Sequence, residues 1–268
     1  MTGILCIQFK PVCDDKEFNI KTIERLIKEN CDKDIDLVVM PEFFSTGIDH
    51  TAFINEPEDI NGGNTISKIQ DIAIKYQTNI IAGTVIETEN KKLYNTSFMI
   101  NRHGKVLAKY RKIHLFNYLG GTEGERITPG DEVVTVDFDF GKVGIAICYD
   151  IRYPLHYKKL AQQGAEIIVL PTAWVVSDEV YKSSLKQEQE LWIALNRIRA
   201  YDNMVYTIAC NQTGLLNDRI GAIGTSIICS PLGDIISKAG NEPCVLYAQL
   251  DLNSVRSLKT IYPIASID

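Results

Sequence analysis

Three residues that could take part in catalysis each come directly after a short apolar segment typical of a buried strand. These residues and the segments before them are Glu42 after IDLVVMP, Lys112 after KVLAKYR and Cys148 after KVGIAI. Because α/β sheets bind ligands beyond the carboxyl ends of their strands, we expect the three side chains to line one crevice. A thiol, a carboxylate and an ammonium in one crevice would suit nucleophilic attack on a carbonyl group.

Cys148 has the sequence context of a nucleophile on a strand-to-helix turn. The polar and charged segment 149–153 follows it, and Pro154 stands where the first turn of a helix tolerates a missing N–H. Backbone N–H groups and the dipole at a helix N-terminus favour a thiolate. A cysteine at a strand end is more often a small buried hydrophobic residue, but the polar segment after Cys148 weighs against that interpretation.

Glu42 and Lys112 each have an ordinary explanation beside a catalytic one. Glu42 lies between apolar side chains in segment 40–44, and burial there would raise its pKa towards the range of a general base. Taken alone, such a glutamate is more often a helix cap or a surface acid. Lys112 lies in the basic segment 109–114, where a solvated cluster is the default. Beside Cys148 it would lower the thiol pKa and donate to a developing oxyanion.

The composition is that of an ordinary globular protein and excludes several classes of function. The 268 residues are 45% hydrophobic and 23% charged, with a formal net charge of −6. An acidic excess without a basic run argues against a nucleic-acid partner. No apolar run approaches the roughly 18 residues that span a membrane, so we expect no membrane partner. The first ten residues lack the basic start and the long apolar run of an export signal.

The cysteine pattern favours a reducing compartment. The seven cysteines are odd in number and include no C-x-x-C, and four of them lie inside apolar runs. We therefore expect reduced thiols in a cytoplasmic protein. Two tripeptides fit the glycosylation pattern, Asn95-Thr96-Ser97 and Asn211-Gln212-Thr213, but without an export signal they carry little weight.

The chain reads as one α/β domain over residues 1–268, because no linker, repeat or composition shift divides it. The hydrophobic pattern predicts strands at 4–9, 35–40, 79–86, 94–101, 104–109, 132–138, 142–148, 165–170, 204–210, 223–229, 234–238 and 244–250. It predicts helices at 17–30, 65–77, 154–163 and 184–202.

The order of these elements favours two sheets. Strands and helices alternate over residues 4–86 and 142–210, which predicts parallel strands covered by helices. Segments 101–104, 139–142 and 230–233 resemble hairpin turns. About twelve strands are too many for one open sheet of usual size. Two mixed sheets packed face to face, with helices outside, would bury them.

Three segments resemble the catalytic blocks of the nitrilase superfamily of carbon–nitrogen hydrolases, in that family's order. They are 41–44 with Glu42, 110–116 with Lys112 and 144–154 with Cys148. Segments 164–174, 196–203 and 224–226 extend the resemblance over nearly the whole chain. The resemblance implies a four-layer α-β-β-α sandwich with two mixed β-sheets, in agreement with the two-sheet argument.

The same resemblance implies roles for these residues. Cys148 would be the nucleophile, Glu42 the general base and Lys112 the cation that stabilises the tetrahedral intermediate. Family members carry a second glutamate before a Pro-Gly or similar step. Glu123, six residues before Pro129, matches the commoner spacing, and Glu125 matches a rarer one, so we prefer Glu123. No metal and no organic cofactor would be required.

The segment 148–154 resembles the branch that hydrolyses ω-amides better than the nitrile or carbamoyl branches. We therefore predict an amidase that releases ammonia from a small amide through a Cys thioester. Leu155 follows Pro154 where many relatives have an acid, which leaves the subfamily open. N-carbamoyl hydrolysis and a catalytically silent binding module are the alternatives. The predicted substrate-binding residues are Tyr149, Arg152, Phe116 and Trp174.

The resemblance also implies a homodimer or a higher homo-oligomer. The tail 251–268 could exchange between subunits, since it carries the apolar residues Leu252, Val255, Leu258, Ile261, Tyr262 and Ile264.

Other hydrolase classes have weaker support in the sequence. The four histidines show no zinc-binding spacing. A Cys–His hydrolase with His114 or His156 as base would leave Glu42 and Lys112 unexplained. No G-x-S-x-G motif surrounds Ser226, so the sequence lacks the strand-to-helix turn that presents the nucleophile of a serine hydrolase.

Overall fold

Side chains along β1 (Thr2–Gln8) alternate between two cores. Ile4 and Cys6 pack into a central core, whereas Leu5 and Ile7 pack into an outer one. The same alternation occurs along β10 (Ile167–Thr172), on the other side of the central core. Because successive strand residues point to opposite faces, a strand buried on both faces needs an unbroken apolar run. These runs therefore reflect sheets that are covered on both sides.

The computed structural model describes residues 1–48, 57–59, 63–117 and 121–263. The first sheet contains, in spatial order, β17 (Cys244–Leu250), β1, β2 (Leu37–Val39), β4 (Asn79–Ile81), β6 (Lys92–Ile100), β5 (Val85–Glu89) and β3 (Glu58–Asp59), with β7 (Val106–Arg111) paired to β6. The strands β1, β2 and β4 are parallel, and β17 and β6 flank them as antiparallel strands.

The second sheet has the order β16 (Ile235–Lys238), β15 (Ile227–Cys229), β12 (Tyr206–Asn211), β10, β9 (Lys142–Ile145) and β8 (Thr135–Asp137). Its strands β12, β10 and β9 are parallel. A small antiparallel sheet consists of β11 (Val175–Ser177), β14 (Ile220–Ile223) and β13 (Thr213–Leu215).

The chain has six α-helices in the residues that the structure describes, and four of them cover the outer faces of the two large sheets. The six helices are α1 (Lys16–Lys28), α2 (Asn64–Tyr76), α3 (Pro154–Gln162), α4 (Asp178–Ser183), α5 (Leu185–Asn203) and α6 (Leu252–Ile261). The buried isoleucines of α1 and α2 pack on the first sheet, whereas α3 and α5 pack on the second. Two mixed sheets between two helical layers form the four-layer α-β-β-α sandwich that was predicted.

Three predicted strands are shorter than their apolar runs. The run 79–86 divides into β4 and β5 around Gly83, where the backbone φ is +36°. The run 223–229 divides around Gly224 and Thr225, which have φ of +62° and +57°. The run 142–148 ends at Ile145, because Cys148 begins a 3₁₀ turn. Apolar composition does not reveal these local reversals. The predicted hairpin turns at 101–104, 139–142 and 230–233 are confirmed.

The C-terminal tail contains a helix that the sequence pattern did not predict. Leu252 and Val255 of α6 are buried in the central core. Ile264 and the rest of 264–268 lie outside the described residues. Exchange of this tail between subunits stays a prediction. In the part of the chain that the structure describes, no helix is long and apolar enough to cross a membrane.

Candidate active site

Cys148 lies on the strand-to-helix turn that its sequence context predicts. It opens the 3₁₀ turn Cys148–Arg152 just beyond β9, and α3 begins at Pro154. Its φ is +45°, in the left-handed region that non-glycine residues rarely adopt. The thiol residue is 8% exposed. A strained backbone at a buried thiol is typical of a residue that surrounding structure holds in place for chemistry.

Glu42 lies in the turn after β2, and its carboxylate is almost fully buried. Its Oε1 accepts hydrogen bonds from Lys112 Nζ at 3.0 Å and from Asn95 Nδ2 at 2.8 Å. Its Oε2 accepts the backbone N–H of Ala173 at 2.9 Å. Gln212 Nε2 donates to the backbone carbonyl of Glu42 at 2.7 Å. Donors from three separate segments therefore fix the orientation of this carboxylate.

Lys112 follows β7 directly and links two carboxylates. Its Nζ lies 3.0 Å from Glu42 Oε1 and 2.9 Å from Glu123 Oε2. Its own backbone N–H donates to the carbonyl of Asn95 at 2.8 Å, which ties the lysine to β6. Burial opposes the charged ammonium, but the charges of Glu123 and Glu42 outweigh it and hold the lysine pKa well above its ordinary value. Lys112 is therefore a cation at neutral pH.

The structure places Glu123, and not Glu125, against Lys112. Glu123 begins a short 3₁₀ turn, Glu123–Glu125, and its carboxylate also accepts the backbone N–H of Phe116 at 2.8 Å. The side chain of Glu125 is exposed, and it makes no contact with the cluster in the described residues.

Charge and burial set the protonation states of the acid and the thiol. Burial raises the pKa of Glu42, Glu123 raises it further, and Lys112 opposes both, so the pKa lies above its ordinary value. The predicted rise is confirmed. Burial and the charge of Glu42 also raise the pKa of the Cys148 thiol well above its ordinary value, although Lys112 and the Ala173 N–H lower it.

The turn and Lys112 alone would lower the pKa of the Cys148 thiol, but the net shift in the structure is upward. Burial and the Glu42 carboxylate, which raise the thiol pKa, outweigh Lys112 and the Ala173 N–H, which lower it. Attack by this sulfur then needs a base, and the carboxylate beside it is Glu42.

Asp150 braces the turn that carries Cys148. It is fully buried and accepts four hydrogen bonds, two on each oxygen. The donors are Ile147 N–H at 2.8 Å and Tyr110 Oη at 2.7 Å on Oδ2, with His114 N–H at 3.1 Å and His114 Nδ1 at 2.6 Å on Oδ1. Burial opposes its ionisation, yet these hydrogen bonds and nearby positive charge hold the Asp150 pKa below its ordinary value.

His114, Asp150 and His156 are close enough together to be considered as metal ligands. Their arrangement does not fit a metal, because both oxygens of Asp150 already accept two hydrogen bonds each. Burial also lowers the pKa of His156, whose Nε2 lies 3.3 Å from the carbonyl of Ile145. His114 directs Nδ1 to Asp150, and His156 directs Nε2 to the backbone of β9, as structural residues would. The Cys–His alternative gains no support from this geometry.

The four predicted substrate-binding residues form one aromatic and cationic cluster. The Arg152 guanidinium lies 5.6 Å from the ring centre of Tyr149 and 5.3 Å from that of Trp174. Phe116 meets Tyr149 edge-on at 5.4 Å. Three of them adjoin the buried cluster, since Tyr149 follows Cys148, Trp174 follows Ala173, and the N–H of Phe116 donates to the carboxylate of Glu123.

Three contributors to the site were not predicted: Asn95, Gln212 and the backbone N–H of Ala173. Asn95 and Gln212 drew attention only as parts of glycosylation-type tripeptides. Both are fully buried. Asparagine is depleted in strands, so an asparagine within the run 94–101 was an available signal.

Comparison with known proteins is consistent with this geometry. A family model described as carbon-nitrogen hydrolase matches residues 5–260. The chain is 32% identical over 276 residues to omega-amidase NIT3 of Saccharomyces cerevisiae, covering 97% of this chain and 91% of that protein. It is 30% identical to omega-amidase NIT2 of Homo sapiens, covering 93% and 88%.

Solved structures of related proteins have a similar fold. The crystal structure of Saccharomyces cerevisiae Nit3, a member of branch 10 of the nitrilase superfamily, superposes with a TM-score of 0.83 at 30% identity, covering 98% of this chain and 94% of that one. A carbon-nitrogen hydrolase from Helicobacter pylori superposes with a TM-score of 0.87 at 24% identity, covering 98% and 94%, a likeness of fold alone.

Proposed function

Because the chain belongs to the carbon–nitrogen hydrolase family, we propose that it hydrolyses the terminal amide of a small substrate that also carries a carboxylate, an ω-amide, and releases ammonia. The observation that carries this proposal is the guanidinium of Arg152 over the rings of Tyr149 and Trp174, two residues that directly follow Cys148 and Ala173 in the chain. Relatives named omega-amidase support the same substrate class.

The first step is attack by the thiol. Glu42 accepts the proton of Cys148 as the sulfur bonds to the amide carbon, and the carbonyl oxygen becomes an oxyanion. The raised pKa of Glu42 makes its carboxylate a better proton acceptor, whereas the raised pKa of the Cys148 thiol opposes loss of the proton without a base. Lys112 Nζ and the backbone N–H of Tyr149 stabilise the oxyanion.

The second step releases ammonia. Glu42, now protonated, gives its proton to the amide nitrogen as the carbon–nitrogen bond breaks, and a thioester on Cys148 remains. Glu42 then takes a proton from water, whose oxygen attacks the thioester carbon. When the carbon–sulfur bond breaks, the sulfur regains the proton from Glu42 and the carboxylic acid leaves. The proposed steps need only the groups named here and water.

Arg152 is suited to the substrate's carboxylate. It is exposed, and no acidic side chain in the described residues forms an ion pair with it. The rings of Tyr149 and Trp174 shield its guanidinium from part of the solvent, which strengthens a charge-assisted hydrogen bond.

A substrate panel tests the proposal. The panel contains an ω-amide with a carboxylate, the same amide with a methyl group in its place, an N-carbamoyl amino acid and a nitrile. We expect ammonia release chiefly from the first. Arg152→Ala should raise KM for it by about tenfold to a hundredfold and leave the methyl analogue unaffected. The exposed Arg25 on α1 provides the control variant, Arg25→Ala.

Two outcomes would contradict the proposal. One is faster turnover of the N-carbamoyl compound or the nitrile than of the ω-amide. The other is an equal rise in KM for both amides in Arg152→Ala.

Cys148→Ala should abolish ammonia release with nearly unchanged melting temperature, and intact mass of the native enzyme with substrate should show the thioester.

We also propose that the enzyme is a cytoplasmic homodimer. The odd cysteine count without C-x-x-C supports a reducing compartment. An apolar stripe on α5, formed by Leu191, Ile198 and Tyr201, is about half exposed and supports association. Light scattering after size-exclusion chromatography should give twice the monomer mass, and a monomer mass at micromolar concentration would contradict the dimer.

A further inference from the structure

Asn95 lies at the centre of the buried charge cluster, yet it has no part in the proposed chemical steps. It is fully buried on β6, and its Nδ2 donates to Glu42 Oε1 at 2.8 Å and to Glu123 Oε1 at 3.0 Å. Lys112 Nζ lies 3.0 Å and 3.2 Å from the same two oxygens. One amide and one ammonium therefore bridge the same pair of carboxylates.

The cluster needs this second bridge because its charges do not cancel. Two carboxylates and one ammonium leave a net negative charge in a buried site, where each carboxylate disfavours ionisation of the other. An amide NH₂ has two hydrogens, so it can donate to both carboxylates at once. It cannot give up a proton to either, so it stabilises both as anions.

The orientation of the amide follows from the same contacts. No donor in the described residues reaches Asn95 Oδ1. Turning the amide over would place that oxygen against two carboxylate oxygens. The two acids therefore hold the NH₂ group towards themselves, although the Oδ1 is left without a hydrogen bond.

The two carboxylate oxygens of Glu42 have different hydrogen-bond partners. Oε1 is occupied by Asn95 and Lys112. Oε2 accepts the N–H of Ala173, and this N–H also lies against the thiol of Cys148. Oε2 is thus the oxygen on the side of the thiol, where a proton would arrive.

We propose that Asn95 is a positioning residue that keeps Glu42 ionised beside Glu123 and turns Glu42 Oε2 towards Cys148. The inference rests on the proposed role of Glu42 as general base. It predicts that Asn95 sets the pH below which the base is lost, which a merely structural residue would not do.

The test is the pH dependence of kcat/KM for the ω-amide in Asn95→Ser and Asn95→Leu. A serine hydroxyl can donate to only one carboxylate, and leucine donates to neither. The acid limb is the fall in kcat/KM at low pH, where Glu42 becomes protonated. Because the variants lose donors to the carboxylate, we expect this limb to move to higher pH, by about one pH unit in Asn95→Leu and by less in Asn95→Ser. If Asn95→Leu fails to fold, Asn95→Ser carries the test.

Asn79→Ser is the matched control. Asn79 is also buried, and its Nδ2 donates to the carbonyl of Asp36 at 2.8 Å and to the carboxylate of Asp139 at 3.0 Å, away from the site. This variant should lose stability while its acid limb stays in place. An unmoved limb in both Asn95 variants, with only a lower rate, would overturn the inference.

A second readout separates this inference from the proposed function. The rate of Cys148 alkylation by iodoacetamide needs no amide substrate, and the exposed Cys31 serves as an internal reference. We expect the acid limb of the Cys148 rate to shift in the Asn95 variants as the kcat/KM limb does. A native protein that hydrolyses no compound of the panel but shows this shift would defeat the ω-amide proposal and keep the inference. An unshifted alkylation limb would overturn the inference whatever the substrate.

Discussion

Tyr110 donates a hydrogen bond to Asp150 at 2.7 Å, and this bond joins the strand before Lys112 to the turn that carries Cys148. Asp150 also accepts the N–H of Ile147 beside the cysteine and the N–H of His114 beyond the lysine. One buried carboxylate thus connects the turn to the chain on both sides of Lys112. The spacing between the proposed nucleophile and the proposed oxyanion cation depends on it.

Tyr110→Phe should therefore weaken both the fold and the reaction. Asp150 keeps three donors but loses its link to the end of β7, and we expect the free energy of unfolding to fall by about 1–3 kcal/mol. We expect kcat to fall severalfold with little change in KM, since the displaced groups act on the reacting atoms. Urea denaturation and steady-state kinetics measure the two effects. Tyr157→Phe, at a second buried tyrosine outside this hydrogen-bond set, should leave kcat unchanged. Equal kcat in Tyr110→Phe and the native enzyme would contradict the link.

The pH dependence of stability provides a separate test of Asp150. Its folded pKa is lowered, so its contribution is present above the ordinary aspartate pKa of about 3.9 and is lost as pH falls through the lower folded value. Asp150→Asn should cost about 3 kcal/mol of unfolding free energy at pH 7, and the difference from the native protein should shrink below about pH 4. Asp137→Asn, at an exposed aspartate, should show no such pH dependence. Urea denaturation at pH 7 and pH 3 measures it, and a constant difference would mean that ionised Asp150 is not what stabilises the turn.

Glu123 and Glu125 can be distinguished by a matched pair of variants. Glu123 contacts Lys112, Asn95 and the Phe116 N–H, whereas Glu125 is exposed two residues later. Glu123→Gln removes the charge that holds Lys112 in place, so we expect kcat/KM to fall by at least about a hundredfold. Glu125→Gln should retain nearly full activity. The reverse pattern would assign the second glutamate to Glu125.

Local sequence patterns predicted those parts of the site that depend on strand ends. Glu42, Lys112 and Cys148 each follow an apolar run, and the runs form the strands β2, β7 and β9. The unbroken apolar segments of β1 and β10 likewise indicate that these strands are buried on both faces.

Long-range contacts determine what the sequence patterns missed. Asn95 bridges Glu42 and Glu123, which lie 53 and 28 residues away along the chain, so its role has no local pattern. The raised pKa of the Cys148 thiol comes from burial and from Glu42, whereas the local sequence pattern contains only the turn. The break at Gly83 also depends on a long-range contact, because the turn at Pro41 lies against it.

Gly83→Ala tests whether that close approach positions the general base. A Cβ at Gly83 would overlap the carbonyl oxygen of Pro41 and lie 2.9 Å from Phe44 Cδ1, on either side of Glu42. The backbone there has φ of +36°, which adds strain for any residue with a side chain. We expect a loss of about 1–3 kcal/mol in unfolding free energy and a fall in kcat, because the turn that carries Glu42 must move while Asn95 on β6 and Lys112 after β7 do not.

Gly240→Ala is the matched control, because a Cβ there meets no atom within 4 Å. Its unfolding free energy should stay within about 0.5 kcal/mol of the native value, and its kcat should not change. Urea denaturation and ammonia release measured on both variants decide the matter. If Gly83→Ala keeps native kcat despite its lost stability, the contact between Gly83 and Pro41 supports the fold without setting the position of Glu42.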